Sequence, residues 1–154
     1  MFSLPWTTLL CLLLSGLRSS KATGWTPCDA SNGEVVDVRV LPPPCENDLS
    51  YRIRRGTNVT LQVDFCSFVT SKTATAKAYA MVMRLPVSLT MPHNDLCQGT
   101  GVRCPLALGT TNTYTQPFEI EASYPKVKVT VKWTVVDDKG GTVACAMIPV
   151  EIVD

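Results

Sequence analysis

Cysteines are the residues in this chain with the most obvious chemistry. Cys11 lies in an apolar N-terminal stretch, and the others are Cys28, Cys45, Cys66, Cys97, Cys104 and Cys145. A zinc site needs close ligand pairs such as Cys-X-X-Cys, and the sequence contains none. An even number of cysteines in an exported chain favours disulfides. Without Cys11, the remaining cysteines therefore predict three structural disulfides and no metal site.

The side chains that usually perform catalysis are scarce. His93 is the only histidine, so a mechanism that needs two histidines is excluded. Neither H-E-x-x-H nor G-x-S-x-G occurs. Asp137 and Asp138 adjoin a Gly-Gly turn, where carboxylates ordinarily bond to the turn backbone. We therefore expect no enzyme, no catalytic residue and no cofactor.

The N-terminus has the features of a secretory signal peptide. An apolar stretch at residues 9–17 is too short to span a bilayer, and small residues follow it. We expect residues 1–22 to be cleaved and residues 23–154 to form a single domain. Cleavage would lower the number of basic residues from 14 to 12 against 13 acidic ones, because it removes Arg18 and Lys21. Such a near-neutral monomer is a poor partner for nucleic acid, and we expect it to be secreted or extracellular, or lysosomal.

Alternating apolar and polar residues predict β-strands. Val36, Val38 and Val40 form one such run, and Val59, Leu61, Val63 and Phe65 form another. Further runs span residues 73–85, 113–120, 126–136 and 143–153, and Asp138-Lys-Gly-Gly141 predicts a hairpin. No helical period is sustained. About six or seven strands of this kind predict an all-β, immunoglobulin-like, two-sheet antiparallel sandwich.

Two apolar segments are bounded by proline. The sequence "LPVSLTMP" at residues 85–92 carries Leu85, Val87, Leu89 and Met91, and the second segment carries Phe118, Ile120, Tyr124 and Pro125. Proline makes each a poor central strand, so each is expected to be a loop or short edge strand that covers something apolar. Sheets that splay apart at one edge and leave a pocket would explain both segments. An ordinary closed core is the alternative.

Polar surface features allow two readings. The basic residues form two groups: Arg52, Arg54 and Arg55 before a turn, and Lys126, Lys128 and Lys132 along one strand. They are either solvated faces that prevent edge pairing or a docking patch for an anionic membrane surface.

Asn58 begins the only glycosylation sequon and falls in the outward phase of its strand, which predicts glycosylation there.

The order of these segments resembles the ML lipid-recognition family, most closely its sterol carriers. Its most specific parts are Cys97 and Cys104 followed by Pro105, the Ser-Tyr-Pro before the alternating strand, the Trp133 to Asp138 stretch, and Cys145 followed by Ile148-Pro149-Val150. The resemblance covers essentially all of residues 23–154. It implies an immunoglobulin-like sandwich with a hydrophobic inter-sheet cavity that binds a sterol or another lipid.

The resemblance also implies which residues line the cavity. Leu89, Ile120 and Tyr124 match its wall positions, although Leu89 replaces an aromatic residue. The complete predicted ligand-binding set is Val40, Val63, Phe65, Leu89, Met91, Phe118, Ile120, Tyr124, Pro125 and Trp133. Leu89 and Met91 are expected to form a flexible lip.

The disulfide pattern of the family matches this chain in part. The resemblance implies the pairs Cys28 with Cys145 and Cys97 with Cys104. The third bridge departs from the family, because Tyr51 stands where Cys45 would find its partner. Cys66 is the unmatched cysteine, and whether it pairs with Cys45 stays open.

These observations predict a lipid carrier that takes up a sterol and delivers it to a membrane or to a membrane sterol-transport protein. The alternative is an extracellular recognition module that reads a lipid or semiochemical and acts in innate immunity or signalling through a receptor. A third reading is an adhesion sandwich with a closed core.

Overall fold

A computed structural model describes residues 24–43 and 49–154. The expected signal peptide and Cys45 lie outside these residues. The described strands are β1 (Thr26–Pro27), β2 (Gly33–Leu41), β3 (Tyr51–Arg54), β4 (Thr57–Ser67), β5 (Ala74–Val82), β6 (Leu85–Ser88), β7 (Thr111–Ile120), β8 (Lys128–Asp137) and β9 (Thr142–Val153). Within this part of the chain there is no helix long and apolar enough to cross a membrane.

The strands form two sheets, which confirms the predicted sandwich. One sheet has the order β1-β9-β8-β5-β6 with β3 also on β9, and the other has the order β2-β4-β7. All pairs are antiparallel except β3 and β9, which run parallel from Tyr51 opposite Val150 to Arg54 opposite Val153. The four-residue strand β3 was not predicted, because so short a run carries little alternation of its own.

A β-bulge in β2 changes the predicted alternation. We expected Val36 to share a face with Val38 and Val40, but the register shifts between Val35 and Asp37. Val35 is therefore buried together with Val38 and Val40, whereas Val36 is only partly buried. A bulge inserts one extra residue, so a strict two-residue period fails on one side of it.

The predicted hairpin between β8 and β9 is confirmed, and Asp137 organises it. The Asp137 carboxylate accepts hydrogen bonds from the backbone N–H of Lys139 at 2.9 Å and of Gly141 at 2.8 Å. It also accepts one from Asn32 Nδ2 at 2.8 Å. The neighbouring Asp138 accepts the Lys72 N–H at 2.9 Å. Asp137 therefore serves the turn, as predicted, whereas Asp138 bonds to the segment before β5.

The "LPVSLTMP" segment contains the edge strand β6, which pairs with the end of β5. Val82 lies opposite Leu85, so only Met83 and Arg84 form the turn. Both have positive φ, 50° and 68°, at positions where hairpins usually place glycine or asparagine. The turn therefore projects two large side chains from the end of the sandwich, and Met83 is 91% exposed.

The interior is filled near the β8–β9 turn, which we call the closed end. The Trp133 ring lies 5.0 Å from the Tyr114 ring and 6.4 Å from the Phe65 ring between centroids, within the usual range of aromatic contacts. Gly33 brings β2 against β9, because a Cβ atom at this position would lie 2.1 Å from the Val143 carbonyl oxygen. The two sheets are therefore in close contact at this end.

Burial decreases toward the opposite end, where β2 and β7 finish and β8 begins. We call this the open end. Along β8, Val135 and Trp133 are fully buried, Val131 and Val129 are partly buried, and Val127 just before the strand is 37% exposed. The same decrease runs from Ala76 to Val82 in β5 and from Ala144 to Ile152 in β9. The inward-facing apolar side chains of β5, β8 and β9 are thus fully covered only at the closed end.

Two disulfides lie within the described residues. Cys28, just after β1, bonds to Cys145 in β9 with a Cα–Cα distance of 5.0 Å. Cys97 bonds to Cys104 across a loop with a Cα–Cα distance of 5.4 Å. Cys66 is also disulfide-bonded, and Cys45, whose pairing with it was left open, lies outside the described residues.

The burial gradient predicts that a valine-to-alanine substitution lowers the free energy of unfolding more at Val135 than at Val127. Val135→Ala removes buried methyl groups and leaves a cavity, so it should lower the free energy of unfolding by about 2 kcal/mol. Val127→Ala removes exposed methyl groups and should cost less than about 0.5 kcal/mol. Chemical denaturation measures both, and equal losses would contradict the gradient.

Candidate functional site

The structure divides the predicted ligand-binding residues by position. Three of them are buried at the closed end: Val63, Phe65 and Trp133. Three lie on the inward face of β2 or β7 at the open end: Val40, Phe118 and Ile120. The remaining four lie in loops, where Leu89, Tyr124 and Pro125 are exposed and Met91 is buried. Leu89 and Met91 were predicted to form a flexible lip, and the two differ in exposure, at 41% and 8%. Met91 lies in a depression of about 260 Å³ against Ala76 and Ala78 of β5.

The sheets are close along one side and apart along the other. In the described part of the chain β9 approaches both β2 and β4, whereas β7 makes no comparable approach to β5 or β6. The sheets therefore approach each other more closely on the β9 side than on the side bounded by β6 and β7. The segments that carry Leu89 and Tyr124 adjoin these two strands, which agrees with the proline-bounded pattern in the sequence.

Exposed apolar side chains concentrate around the open end. Among the described residues, the large apolar side chains that are exposed are Leu41, Val82, Met83, Leu85, Val87, Leu89, Tyr124 and Val127, together with Leu49 and Leu108. Leu41 ends β2, and Tyr124 and Val127 lie in the β7–β8 loop. The others except Leu49 and Leu108 lie in the β5–β6 hairpin or, for Leu89, directly after it. We call this group the apolar rim. Such concentrations on a soluble domain mark sites of interaction with apolar ligands or surfaces.

The loop that carries Tyr124 is fixed by charge and by backbone hydrogen bonds. Arg55 donates to the Tyr124 carbonyl oxygen at 3.2 Å and also pairs with the Asp154 carboxylate. Lys126 pairs with the other Asp154 oxygen at 2.8 Å. The Ile152 N–H donates to the Val127 carbonyl oxygen at 2.9 Å. Arg55, Asp154 and Lys126 therefore act as a latch between this loop and the end of β9.

The latch leaves part of the predicted basic surface without acidic partners. Arg55 and Lys126 belong to the latch, and Arg52 lies 3.6 Å from Glu151. Arg54 and Lys128 are exposed and have no ion pair among the described residues. A groove of about 410 Å³ beside the latch is lined by Lys126–Lys128 and by residues 151–154. Cations are thus available near the rim, and their docking to a membrane stays a prediction.

Polar atoms occur in the interior, which the sequence did not lead us to expect. The Tyr114 hydroxyl, the Trp133 Nε1 and the Gln116 Oε1 are buried without a hydrogen-bond partner in the described part of the structure. Burial raises the pKa of Tyr114 to about 12. The Trp133 N–H offsets part of the rise through a weak contact with the Tyr114 hydroxyl that does not have hydrogen-bond geometry. The only sequence signal for this set was polar residues in the inward phase of β7.

The sequence and the fold match those of a known family. The sequence profile described as the ML domain matches residues 22–152. The chain belongs to the ML-domain family. This membership confirms the resemblance recognised in the sequence and the prediction of a protein that is not an enzyme.

Individual relatives extend the match over nearly the whole chain. NPC intracellular cholesterol transporter 2 of Bos taurus is 30% identical over 143 residues, 93% of each chain. The ecdysteroid-regulated 16 kDa protein of Manduca sexta is 32% identical over 136 residues, 88% of this chain and 92% of that one. A Niemann-Pick type C2 protein from the Japanese carpenter ant superposes with a TM-score of 0.79 at 22% identity, over 84% of this chain and 98% of that one.

The latch predicts a specific loss of order. Asp154→Asn removes the shared carboxylate, so the amide hydrogen of Ile152 should exchange with solvent roughly two- to fivefold faster, the range expected for exposed ion pairs. Glu151→Gln in the same strand is the control, because its pair with Arg52 is longer. Faster exchange in the control alone would contradict the latch.

The latch should also persist in acid. Lys126 and Arg55 lower the pKa of Asp154 below its ordinary value of 3.8. A carboxylate with a lowered pKa stabilises the fold above its unfolded-state pKa, and this contribution is lost only as the pH falls through the folded-state value. Hydrogen exchange at Ile152, corrected for intrinsic rates, should therefore show equal protection at pH 5 and pH 7. A loss of protection at pH 5 would show that another group holds the loop.

Proposed function

We propose that this protein is a non-enzymatic carrier that binds a sterol or a similar lipid between its sheets. The observation that carries the proposal is the burial gradient. The inward-facing apolar side chains of β5, β8 and β9 are fully covered at the closed end and only partly covered at the open end. A lipid inserted from the open end would cover them, and apolar burial supplies the driving force for such binding.

The expected affinity suits a carrier. A sterol has roughly 28 heavy atoms, and at about 0.3 kcal/mol per atom its binding free energy is about 8 kcal/mol. This corresponds to a dissociation constant on the order of micromolar. Binding of this strength shields the lipid from water and still allows release.

The relatives support this substrate class. Among them, the bovine protein is named as an intracellular cholesterol transporter. Leu89 stands where the sterol carriers of the family have an aromatic residue, so the wall of this protein offers aliphatic contact at that position. The disulfides fit an oxidising compartment, and we therefore infer that the protein works outside the cell or in the lysosome.

Delivery to a membrane would begin at the apolar rim. Met83 and Arg84 project from the β5–β6 turn next to the exposed Val82 and Leu85. An apolar tip with an adjacent cation suits an anionic bilayer surface, since a basic residue near such a surface contributes about 1 kcal/mol. A membrane sterol-transport protein that takes the lipid directly would meet the same rim.

The second candidate function uses the same site for recognition. In that case lipid binding would create a surface for a receptor, and the rim would contact protein instead of membrane. Chicken MD-1 with lipid IVa has a related fold, with a TM-score of 0.50 at 18% identity over 81% of this chain and 85% of that one. Transfer of a fluorescent sterol between anionic vesicles supports the carrier; stable capture of a receptor ectodomain without transfer supports recognition.

Truncation of two exposed side chains tests the assignment of residues to the lipid-binding pocket. Tyr124→Ala and Leu89→Ala should each weaken the binding of dehydroergosterol, a fluorescent sterol, by about three- to tenfold, because each removes apolar contact area. Leu108→Ala is the matched control, since Leu108 is 37% exposed and Leu89 is 41% exposed but only Leu89 belongs to the rim. Folded Tyr124 and Leu89 variants that bind like the control would refute the assignment.

Extraction of the natively purified protein tests the function more broadly. A carrier yields a lipid in about equimolar amount by mass spectrometry, whereas an adhesion sandwich with a closed core yields none. The mass also identifies the lipid class.

A further inference from the structure

Charged side chains are divided unequally between the outer faces of the two sheets. Among the described residues, the outer face of the three-stranded sheet carries four acids and one base: Glu34, Asp37, Asp64, Glu119 and Arg39. The strands of the six-stranded sheet carry five bases and one acid on their outer face: Arg52, Arg54, Lys77, Lys128, Lys132 and Glu151. The two faces thus have net charges of −3 and +4, which the near-neutral total of the chain conceals. We call the five bases of the six-stranded sheet the cationic stripe.

Three members of the cationic stripe follow the direction of the strands. Lys128 and Lys132 lie four residues apart on the outer side of β8, so their Cα atoms are about 13 Å apart. Lys77 in β5 lies opposite Thr134, two residues beyond Lys132 and one strand across, which is about 8 Å from Lys132. These three lysines therefore cover about 20 Å in one direction.

The other two members extend the cationic stripe at the open end. Arg52 lies level with Lys128, two strands away across Glu151, which is a distance of about 10 Å. Arg54 is the next outward residue of β3 and continues in the direction away from Lys132. The five bases together span about 30 Å in length and about 10 Å in width.

Little of this positive charge is neutralised within the protein. In the part of the chain that the structure describes, no acid forms an ion pair with four of the bases: Arg54, Lys77, Lys128 and Lys132. The fifth base, Arg52, lies 3.6 Å from Glu151, and its side chain is still 61% exposed. Asp95, at the sheet edge near Lys77, accepts the Cys97 N–H at 2.8 Å. The cationic stripe can therefore accept anions from outside the protein.

A bilayer that meets the apolar rim does not account for the whole cationic stripe. Met83 projects from the open end, and Lys77 lies six residues earlier, in β5, about 20 Å away. Exposed charges attract over only about 8 Å at physiological ionic strength, which is the Debye length. A membrane at the rim would attract Arg54 and Lys128 and hardly affect Lys77 and Lys132. These two lysines need a ligand that lies along the sheet.

We propose that the cationic stripe binds a sulfated polysaccharide along the outer face of the six-stranded sheet. Such a chain is linear and carries anions at regular intervals, so it can contact all of the bases. Arginine and lysine pair with oxyanions of this kind through charge-assisted hydrogen bonds. The Thr130 hydroxyl lies between Lys128 and Lys132 on the same side of β8, where it suits a ligand rich in hydroxyl groups. The stripe lies outside the inter-sheet space, so this binding does not depend on the lipid.

The surroundings of the cationic stripe favour a polysaccharide over an acidic protein surface. The centre of a protein interface is apolar, but the apolar side chains beside Lys132, those of Met147 and Tyr79, are partly buried. The disulfides fit an oxidising compartment, and sulfated polysaccharides are abundant linear polyanions outside the cell. The predicted glycosylation site, Asn58, is exposed on β4 of the opposite sheet. A glycan at Asn58 would thus leave the stripe uncovered.

Titration of the whole protein with a fluorescently labelled heparin decasaccharide tests the binding. The decasaccharide should bind at about 0.05 M salt. Raising the salt to about 0.2 M should weaken binding at least tenfold, because a polyanion that pairs with several bases releases counterions. A desulfated decasaccharide of the same length should bind at least about tenfold more weakly, because it lacks most of the anions.

Substitutions at the far end of the cationic stripe locate the binding. Lys77→Gln and Lys132→Gln each remove one exposed ion pair and should weaken binding about two- to fivefold, and the double variant about tenfold. Lys132→Arg keeps the charge and should bind within about twofold of the wild type. Lys139→Gln is the matched control and should bind like the wild type, because Lys139 is exposed in the β8–β9 turn outside the stripe. Thermal unfolding checks that each variant is folded.

Other outcomes overturn the proposal. Absence of decasaccharide binding at low salt does so, and unchanged binding by the folded double variant places the polysaccharide on another surface. An oligoglutamate peptide that binds the stripe more tightly than the decasaccharide identifies an acidic protein as the partner. If phosphatidylserine vesicles bind through Lys77 and Lys132 and the decasaccharide does not bind, the partner is a membrane. None of these measurements uses a sterol, so failure of the proposed carrier function is observed separately.

Discussion

The arrangement of this protein depends on the fact that its two sheets are joined at one end and along one side. Gly33 allows the backbone of β2 to approach β9 to a distance that no side chain would permit. Trp133 fills the space beside that contact together with Tyr114 and Phe65. Toward the other end the inward-facing side chains of β5, β8 and β9 are covered less completely, as the decrease in burial from Val135 to Val127 shows.

Where inward-facing apolar side chains are left partly uncovered, the neighbouring loops need other interactions to hold their conformation. The β7–β8 loop meets this requirement, since Tyr124 is 38% exposed and its segment is fixed by Arg55, Lys126 and Asp154. Ion pairs and backbone hydrogen bonds of this kind stay in place whether or not a lipid occupies the interior. Apolar contacts of the same loop would compete with the ligand. The β5–β6 turn likewise exposes Met83 instead of burying it.

The sequence predicted the long strands and the exposed apolar segments of the rim. It did not predict features that are fixed by pairing with a strand elsewhere in the chain. Alternation predicted β4, β8 and β9, and proline boundaries with the family resemblance predicted that Leu89 and Tyr124 flank an opening. The bulge beside Val36 and the parallel strand β3 are fixed by pairing with β4 and β9, which no local period contains. Met91 was placed in the lip because its segment is proline-bounded, yet its side chain is buried against β5.

Gln116 was missed for the opposite reason, since a polar residue in the inward phase of a strand weakens the pattern from which strands are predicted. Its side chain is nevertheless buried, at 3% exposure. Apolar walls discriminate poorly among lipids, because a missing or additional methylene changes binding only modestly, whereas a buried polar group rejects a ligand that leaves it unpaired far more strongly. In the proposed function, aliphatic residues such as Leu89 and Ile120 would account for affinity toward lipids in general. Selection among lipids would then require polar groups, such as the buried Gln116 Oε1.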